Sequence, residues 1–228
     1  MSAADSPRVD PEVVARLEPM LDLLAASHTS LSSVTDRRSA RDVHVADSLS
    51  GLAVDEVSAA ERAVDLGSGA GFPGIPLAVS LPSARFTLID SVGRKVDFMN
   101  EAIAALGLEN AVAVKARSEE WARGEGREAS DLVTARAVAP LEALAELASP
   151  LLLEGGALVA WKGEREPEGE ERVAALGDRL AMELDRVVPV RPYPGSRERN
   201  LYVLKKCGPT PEGLPRRPGM VRKRPLSL

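Results

Sequence analysis

A predicted strand that runs directly into a glycine-rich turn constrains the fold of this chain more than any other feature. Residues 63–66 are typical of a buried strand, and Gly67, Gly69 and Gly71 then alternate with small residues. Glycine at such positions lets the backbone approach a bound ligand closely. The spacing is not the G-x-G-x-x-G of dinucleotide-binding loops, and no Gly-Lys-Ser/Thr follows, as it would in a phosphate-binding loop. The turn predicts a ligand-binding loop at a strand end, and a purely structural loop is the alternative.

Short apolar runs separated by helical stretches continue from this turn to residue 204. The runs predict seven strands, at 63–66, 86–89, 111–114, 132–134, 157–161, 184–190 and 200–204. Crossover helices are predicted at 76–80, 94–106, 118–123 and 141–152, and one further helix at 164–185. Helical crossovers make the connections between the first five strands parallel, whereas the last two strands follow each other as an antiparallel hairpin. We expect an α/β fold with a seven-stranded, mostly parallel sheet and an antiparallel last strand.

The chain before the sheet is predicted to be helical. Asp10 and Pro11 are typical of a helix start, and apolar residues at helical spacing extend this helix to about Ala26. Residues 40–54 predict a second amphipathic helix. A length of 228 residues suits one domain with appendages. We divide the chain into an N-terminal helical extension (1–56), a sheet-containing domain (57–206) and a tail (207–228).

Charge is distributed unevenly along the chain. Residues 205–228 contain seven basic residues and one acidic residue, whereas the whole chain has a formal net charge of −5. A basic, Pro- and Gly-rich end is therefore attached to an acidic body. This end is interpreted either as a contact for a polyanion such as RNA or as a solvated tail without a partner. From its composition we expect residues 207–228 to be flexible.

Other residues exclude several classes of protein. The single cysteine, Cys207, cannot form an internal disulfide, and no apolar run approaches the roughly 18 to 20 residues that a membrane-spanning helix needs. The first ten residues carry no apolar run typical of a secretory signal. Two histidines, His28 and His44, and one cysteine are too few for a typical metal site, so none is expected. These features favour a cytoplasmic protein without a metal.

A second acidic residue stands at the end of the second predicted strand. Asp90 follows Gly67 by 23 residues, and a carboxylate at this place can accept hydrogen bonds from the ribose hydroxyls of an adenosine group. Because the carboxyl ends of parallel strands meet at one edge of a sheet, the loop and Asp90 are expected to line one crevice. A surface N-cap is the alternative role for Asp90.

These residues are part of a longer series of motifs, which extends from His44 to Leu204. In chain order the motifs are His44-x-x-Asp47-Ser48, Asp65-Leu-Gly-Ser-Gly-Ala-Gly-Phe-Pro-Gly-Ile-Pro76, Asp90-Ser-x-Gly-Arg-Lys95, Arg117-Ser-Glu-Glu120, Thr134-Ala-Arg-Ala137, Trp161-Lys-Gly163 and Glu198-Arg-Asn-Leu201. The series resembles class I S-adenosylmethionine-dependent methyltransferases and, more narrowly, the RsmG or GidB family of small-subunit ribosomal RNA guanine-N7 methyltransferases. Before Val34 the chain departs from the family's usual Trp-Asn…Asn-Leu-Thr pattern.

The resemblance implies a Rossmann-like methyltransferase domain at 57–206, preceded by N-terminal helices. It also implies S-adenosylmethionine as the cofactor and small-subunit (16S) ribosomal RNA, or the small ribosomal subunit, as the partner. We expect the protein to act as a monomer. A methyltransferase of a small molecule or a protein is the alternative within the same fold, and a non-catalytic module that binds S-adenosylmethionine and RNA is the alternative outside enzymes.

The resemblance assigns roles to individual residues. The cofactor site would consist of Gly67, Gly69 and Phe72 in the loop, Asp90 at the ribose, Ser118 and Glu119 beside the adenine, and Arg136. Arg136 is also the candidate catalytic residue, because it would stand where the methyl donor meets the target base. An N-terminal helix cap is the alternative role for Ser118.

Further residues are expected around the target base. Arg117, Lys162 and Arg199 are predicted near strand ends and would contact the RNA, although ordinary surface positions are the alternative. His44 and Asp47 share one face of a predicted helix and would support the cofactor loop or the substrate. No general base is expected, because guanine N7 has an available lone pair and loses no proton when it is methylated.

Overall fold

A computed structural model describes residues 4–5, 10–27 and 37–226 of the chain, with side chains from residue 10 to 27 and from residue 39 onward. The helices are α1 (Pro11–Ala26), α2 (Arg37–Ala40), α3 (Asp47–Leu49), α4 (Asp55–Ser58), α5 (Gly74–Ser80), α6 (Gly93–Ala105), α7 (Ser118–Trp121), α8 (Leu141–Ala148), α9 (Pro167–Leu180) and α10 (Met220–Lys223). The family's Trp-Asn…Asn-Leu-Thr region corresponds to a segment of this chain that lies largely outside the described residues.

The strands form a single twisted sheet. They are β1 (Ala4–Asp5), β2 (Arg62–Leu66), β3 (Arg85–Asp90), β4 (Ala111–Lys115), β5 (Ser130–Arg136), β6 (Leu152–Lys162), β7 (Met182–Arg191) and β8 (Arg199–Lys206). The order across the sheet is β1-β7-β8-β6-β5-β2-β3-β4. Strand β8 is antiparallel to both of its neighbours, and the other pairings are parallel. The seven predicted strands and the antiparallel hairpin are confirmed, and the two-residue β1 adds an eighth strand at the edge.

The direction of chain progression across the sheet reverses at β2. This strand pairs with β3 on one side and with β5 on the other, and both pairings are parallel. In open α/β sheets, ligands bind outside the carboxyl ends of the strands at such a reversal. Leu66 and Asp90, the last residues of β2 and β3, therefore mark where a ligand is expected.

The N-terminal helices cover one face of the sheet. Helix α1 begins as predicted, because the Asp10 side chain accepts a hydrogen bond from the Glu12 backbone N–H at 2.9 Å and Pro11 follows it. Its apolar side contains the fully buried Leu17 and Met20, which pack against α5 and α6. The second predicted helix is present but irregular: α2 continues through a π-helical segment (Arg41–Ala46) into α3 and a 3-10 turn.

Three predicted helices are longer than the observed ones: α7 ends two residues earlier than predicted, and α8 and α9 differ more. Helix α9 ends at Leu180, because Ala181 adopts a left-handed conformation with φ 49° and its N–H bonds to the Gly177 carbonyl. Strand β7 starts at Met182, directly after Ala181, whereas the predicted helix extended to Asp185. Helix α8 likewise ends at Ala148 and is followed by a 3-10 turn, so that β6 starts earlier than predicted.

The C-terminal segment, residues 207–226, is packed against the body of the protein, whereas its composition predicts a flexible tail. We call this segment the C-terminal strap. Val221 is buried, and Leu214 and Leu226 pack against the core beneath α8 and α9. Arg216 forms an ion pair with Glu146, whose side chain is only 3% exposed. A few apolar side chains and one buried acidic partner thus hold this segment against the protein. Its charge and its Pro and Gly content had predicted a solvated segment.

Within the described ranges, no helix combines the length and the apolar character that crossing a membrane requires.

Candidate functional site

A cavity of about 620 Å³ opens at the carboxyl ends of β2, β3 and β4. Its lining combines apolar side chains, among them Leu66, Ile89 and Val138, with the polar residues Asp90 and Glu119. Its volume lies within the roughly 300–1,000 Å³ typical of small-molecule sites. The cavity is thus at the place where the reversal of strand order predicts a ligand.

The glycine-rich turn forms one edge of this cavity. Gly67, Gly69 and Gly71 have φ values of 68°, 62° and 87°, which side-chain-bearing residues rarely adopt. A Cβ atom on Gly67 would lie 2.9 Å from the Cγ2 atom of Val138, a residue of the cavity wall. The turn therefore needs glycine at position 67 both for its conformation and for its close approach to the opposite wall.

Asp65 stabilises the glycine-rich turn through hydrogen bonds. Its carboxylate accepts hydrogen bonds from the Gly74 backbone N–H at 3.0 Å and from Thr134 Oγ1 at 2.8 Å, and its backbone carbonyl accepts one from Ser68 Oγ. Asp65 is completely buried, and this burial raises the pKa of its carboxyl group. It thus ties the turn to the start of α5 and to β5, and it does not line the cavity.

Asp90 connects the turn to the next crossover helix. One carboxylate oxygen accepts hydrogen bonds from the Gly69 backbone N–H at 3.1 Å and from Lys95 Nζ at 3.3 Å. The other oxygen accepts the Val92 backbone N–H at 2.9 Å, just before α6. Asp90 therefore lines the cavity and is not a surface N-cap, because it is buried and the N-cap of α6 is Val92, without a side-chain hydrogen bond.

Ser118 and Glu119 lie at the start of the short helix α7 and are largely buried in the cavity wall. Ser118 Oγ donates a hydrogen bond to Glu119 Oε2 at 3.3 Å. Glu119 Oε1 accepts a hydrogen bond from the Gly219 backbone N–H at 2.7 Å. The carboxylate is therefore held in one orientation by two groups, one of which belongs to the C-terminal strap.

A second cluster, which we call the arginine cluster, consists of His44, Asp47, Phe72 and Arg136. The rings of His44 and Phe72 stack with centroids 4.7 Å apart, and Cζ of Arg136 lies 5.4 Å from the centre of the Phe72 ring. Arg136 Nη1 donates to Asp47 Oδ2 at 3.0 Å and to the Val43 carbonyl at 3.1 Å. The cluster joins the N-terminal extension to the glycine-rich turn and to the end of β5.

His44 is electrically neutral at physiological pH. Burial, followed by repulsion from the Arg136 guanidinium, lowers its pKa from 6.5 to about 4. Nδ1 of His44 lies 3.4 Å from Nη2 of Arg136, so the neutral ring can accept a hydrogen bond from the guanidinium. His44 therefore orients Arg136 without adding a positive charge to the cluster.

The structure separates the three basic residues that were predicted to contact RNA. Arg199 lies beside the arginine cluster, with Nε 3.4 Å from Asp47 Oδ1. Arg117 is exposed at the rim of the cavity. Lys162 is mostly buried and donates from Nζ to the Ala139 carbonyl at 2.8 Å, while it pairs with Glu166 at 3.0 Å. Lys162 thus fixes the loop after β5, and it does not occupy the ordinary surface position that was the alternative to an RNA contact.

Two parts of the cavity wall were not identified from the sequence. One is the loop after Arg136, residues 137–140, in which Ala137 has a φ of 57°. The other is the C-terminal strap, which contributes Gly219, Val221, Arg222 and Pro225. The Thr-Ala-Arg-Ala motif directly precedes the loop and could have indicated it. The strap carries no motif that points to the cavity.

The sequence is similar to one family over most of its length. The model of the family described as rRNA small subunit methyltransferase G, GidB, matches residues 16–187. A protein named Ribosomal RNA small subunit methyltransferase G from Rubrobacter xylanophilus is 47% identical over 80% of this chain and 72% of its own length. The protein of the same name from Deinococcus radiodurans is 42% identical over 91% of this chain and 83% of its own length.

The fold is similar to solved structures of low sequence identity. MtNAS superposes with a TM-score of 0.58 at 15% identity, covering 86% of this chain and 72% of its own. The P. horikoshii TYW2 protein, solved in complex with MeSAdo, superposes with a TM-score of 0.52 at 16% identity, covering 67% of this chain and 60% of its own. At these identities the similarity shows a shared fold.

Proposed function

This chain belongs to the ribosomal RNA small subunit methyltransferase G family, and we propose that it methylates N7 of a guanine in small-subunit ribosomal RNA with S-adenosylmethionine as the methyl donor. One observation carries the proposal. Arg136 is the last residue of β5, and the next residues, 137–140, line the cavity. The proposed cofactor site and the arginine cluster are therefore neighbours along the same segment of backbone.

The cavity suits S-adenosylmethionine in volume and in chemistry. Its apolar walls, formed by residues such as Ile89, Val92 and Ala116, can enclose an adenine ring, and the Asp90 carboxylate can accept hydrogen bonds from ribose hydroxyls. The close approach of Gly67 to Val138 supports a loop shaped around a ligand. S-adenosylmethionine supplies a methyl group on a positively charged sulfur, and its transfer forms an N–C bond, breaks an S–C bond and releases no proton from the guanine.

The residues of the proposed cofactor site have different roles in binding S-adenosylmethionine. Gly67 lines the cavity without a side chain, whereas Gly69 is not part of the lining and is held by the carboxylate of Asp90, which is part of it. Ser118 and Glu119 present a hydroxyl and a carboxylate to the side where we infer the adenine lies. Phe72 is not part of the cavity lining. We infer that it shapes the turn from the arginine cluster, where it stacks on His44.

Arg136 is the residue we propose to orient the target guanine. Its guanidinium keeps a fixed position, because Asp47, the Val43 carbonyl and the Phe72 ring hold it on three sides. A guanidinium can donate two parallel hydrogen bonds to an acceptor such as guanine O6 or a phosphate. Alignment of N7 with the methyl group is the main requirement of this reaction, since no base has to remove a proton.

Basic residues near the cavity are suited to hold the RNA backbone. Arg117 at the rim and Arg199 beside the arginine cluster are the candidates on the body of the protein. The C-terminal strap adds exposed basic side chains, Arg217, Arg222, Lys223 and Arg224.

Among the described residues, the large exposed apolar side chains are Val92, Val112 and Val138, and two of these belong to the cavity. Because so few large apolar side chains are exposed outside the cavity, this surface supports a protein that acts as a monomer.

Transfer of a tritiated methyl group tests the proposal and identifies the substrate. Purified protein and labelled S-adenosylmethionine are incubated with one substrate at a time, at several magnesium concentrations. The substrates are small ribosomal subunits that lack endogenous methylation, large subunits, naked ribosomal RNA and a small-molecule extract. We expect label in small-subunit RNA, from the subunit or from the naked RNA. Label only in the small-molecule extract would contradict the RNA substrate and retain the methyl donor.

A further inference from the structure

We propose that the C-terminal strap, residues 207–226, is one wall of the cofactor site and that its docking sets the affinity for the cofactor, with Arg216 as the positioning residue. This inference rests on the proposed function, because it takes the cavity to be the S-adenosylmethionine site. It assigns a binding role to a segment whose composition predicts only a basic tail.

The strap supplies both apolar surface and a polar contact to the cavity. Val221 and Pro225 line the cavity, and Val221 is only 6% exposed. The Gly219 backbone N–H donates to Glu119 Oε1 at 2.7 Å. The docked strap therefore supplies one of the two hydrogen bonds that orient the Glu119 carboxylate, and Ser118 supplies the other. If Glu119 contacts the adenine, the strap controls that contact as well as the apolar enclosure.

The beginning of the strap is anchored by a buried lysine. Lys206, the last residue of β8, has a fully buried side chain that donates from Nζ to Glu128 Oε1 at 2.9 Å and to Thr210 Oγ1 at 2.8 Å. Thr210 in turn donates to Glu128 from its backbone N–H at 2.9 Å. These contacts fix the direction in which the strap leaves the sheet.

The middle of the strap is held by two arginines. Arg123 Nη2 donates to the carbonyls of Pro215 and Arg216, at 3.0 Å and 2.8 Å. Arg216 Nη2 donates to Glu146 Oε2 at 2.6 Å, and its Nη1 donates to the Arg224 carbonyl at 2.7 Å. Glu146 lies on α8, and other residues of this helix line the cavity. Arg216 precedes α10 in the chain and binds the carbonyl of Arg224, which follows it. It thus connects both sides of α10 to α8, a helix of the cavity wall.

The arrangement makes docking of the strap and binding of the cofactor mutually dependent. The buried Glu146 carboxylate needs a cation, since an unpaired buried charge is strongly unfavourable. A ligand that contacts the docked strap binds more weakly when only a fraction of the molecules have the strap docked, in proportion to that fraction. The ligand in turn favours the docked state by the same factor.

Binding of S-adenosylhomocysteine to the full-length protein, measured by calorimetry without RNA, tests the inference. The first variant combines Arg216→Ala with Glu146→Gln, so that no unpaired buried carboxylate remains. The second is Val221→Ala, which keeps the anchors and removes part of the apolar wall. The matched control is Arg85→Ala, because Arg85 is an exposed arginine at the first residue of β3, away from the cavity at the carboxyl ends of the strands. Thermal unfolding of each variant shows that it is folded.

We expect the double variant to raise Kd about tenfold, as when the docked fraction falls to roughly one tenth, and Val221→Ala to raise it about fivefold. Arg85→Ala should leave Kd unchanged. Trypsin should cleave the wild-type strap after Arg216 and Arg222 more slowly when S-adenosylhomocysteine is saturating. Wild-type affinity in both folded test variants would overturn the role of the strap. Absence of binding by the wild type itself would instead contradict the proposed function.

Discussion

Arg136 donates a hydrogen bond from Nη1 to Oδ2 of Asp47 at 3.0 Å, although 89 residues separate them in the chain. Asp47 lies in the N-terminal extension, where Trp161 Nε1 also donates to its backbone carbonyl at 2.9 Å. The extension thus supplies the carboxylate, the Val43 carbonyl and the His44 ring that surround the guanidinium. We infer that the extension is part of the active site and not an independent appendage.

Replacing Arg136 distinguishes a contact with the substrate from a structural ion pair. We expect Arg136→Ala to lower kcat/KM for RNA by about 10- to 100-fold, as for the removal of a hydrogen bond to a charged group of about 1.5–3 kcal/mol. Asp47→Asn removes the ion pair and keeps the guanidinium, so it should lower the melting temperature with a smaller effect on kcat/KM. Steady-state kinetics and thermal unfolding of both variants provide the comparison. Equal losses of kcat/KM in both variants would make Arg136 structural.

A side chain at Gly67 should impair cofactor binding. Gly67→Ala combines a φ of 68° with a Cβ contact of 2.9 Å to Val138, so the turn must move away from the cavity wall. Gly107→Ala is the matched control, because Gly107 has a φ of 60° and no described atom lies within 4 Å of the place that its Cβ would occupy. We expect both variants to lose about 1–2 kcal/mol of stability, and only Gly67→Ala to raise the Kd for S-adenosylhomocysteine. Similar Kd values for the two variants would contradict a close-fitting turn.

The neutrality of His44 has a consequence for stability in mild acid. Its folded-state pKa of about 4 is below its ordinary value of 6.5, so between these pH values the unfolded chain binds more protons than the folded one. The free energy of unfolding should therefore fall as the pH is lowered from 6.5 towards 4. Urea unfolding at pH 6.5, 5.5 and 4.5 measures this decrease, which should be smaller in His44→Gln. An NMR titration of His44 in a His28→Ala background with a midpoint near 6.5 would refute the lowered pKa.

Exposed basic residues of the C-terminal strap should contribute to RNA capture independently of the cofactor. We expect Arg217→Ala combined with Lys223→Ala to flatten the plot of log affinity for RNA against log salt by about 0.7 for each phosphate that the variant no longer neutralises. The matched control combines Arg62→Ala with Arg85→Ala, two exposed arginines at the ends of β2 and β3 that lie away from the cavity. Filter binding at several salt concentrations gives the slopes. Identical slopes for wild type and the strap variant would exclude a contact between these residues and the RNA.

The elements that were predicted well are those whose signal is local. The alternation of apolar runs and helical stretches identified all seven main strands, and the glycines at 67, 69 and 71 identified the turn beside the cavity. The parallel order followed from the helical crossovers, since a crossover of that kind joins parallel neighbours. Asp90, which lines the cavity, was placed beside the glycine-rich turn from its position at a strand end and its spacing of 23 residues from Gly67.

The features that were missed depend on contacts between distant segments. The pair of Arg216 and Glu146 spans 70 residues, and nothing in the composition of residues 207–226 indicates that this segment is docked. The burial of Lys162 depends on the Ala139 carbonyl and on Glu166, which a motif around Trp161 does not reveal. The left-handed Ala181 that ends α9 is likewise set by the packing of the next strand, since alanine itself favours helix.

The position of the new methyl group on the RNA shows whether the protein methylates N7 of a guanine. Small subunits lacking endogenous methylation are treated with the protein and S-adenosylmethionine, and the extracted RNA is then cleaved chemically at 7-methylguanosine and sequenced from the breaks. We expect one new break, at a single guanine of the small-subunit RNA, which is absent without the protein and strongly reduced with Arg136→Ala. Methyl incorporation into that RNA without any new break would contradict transfer to N7.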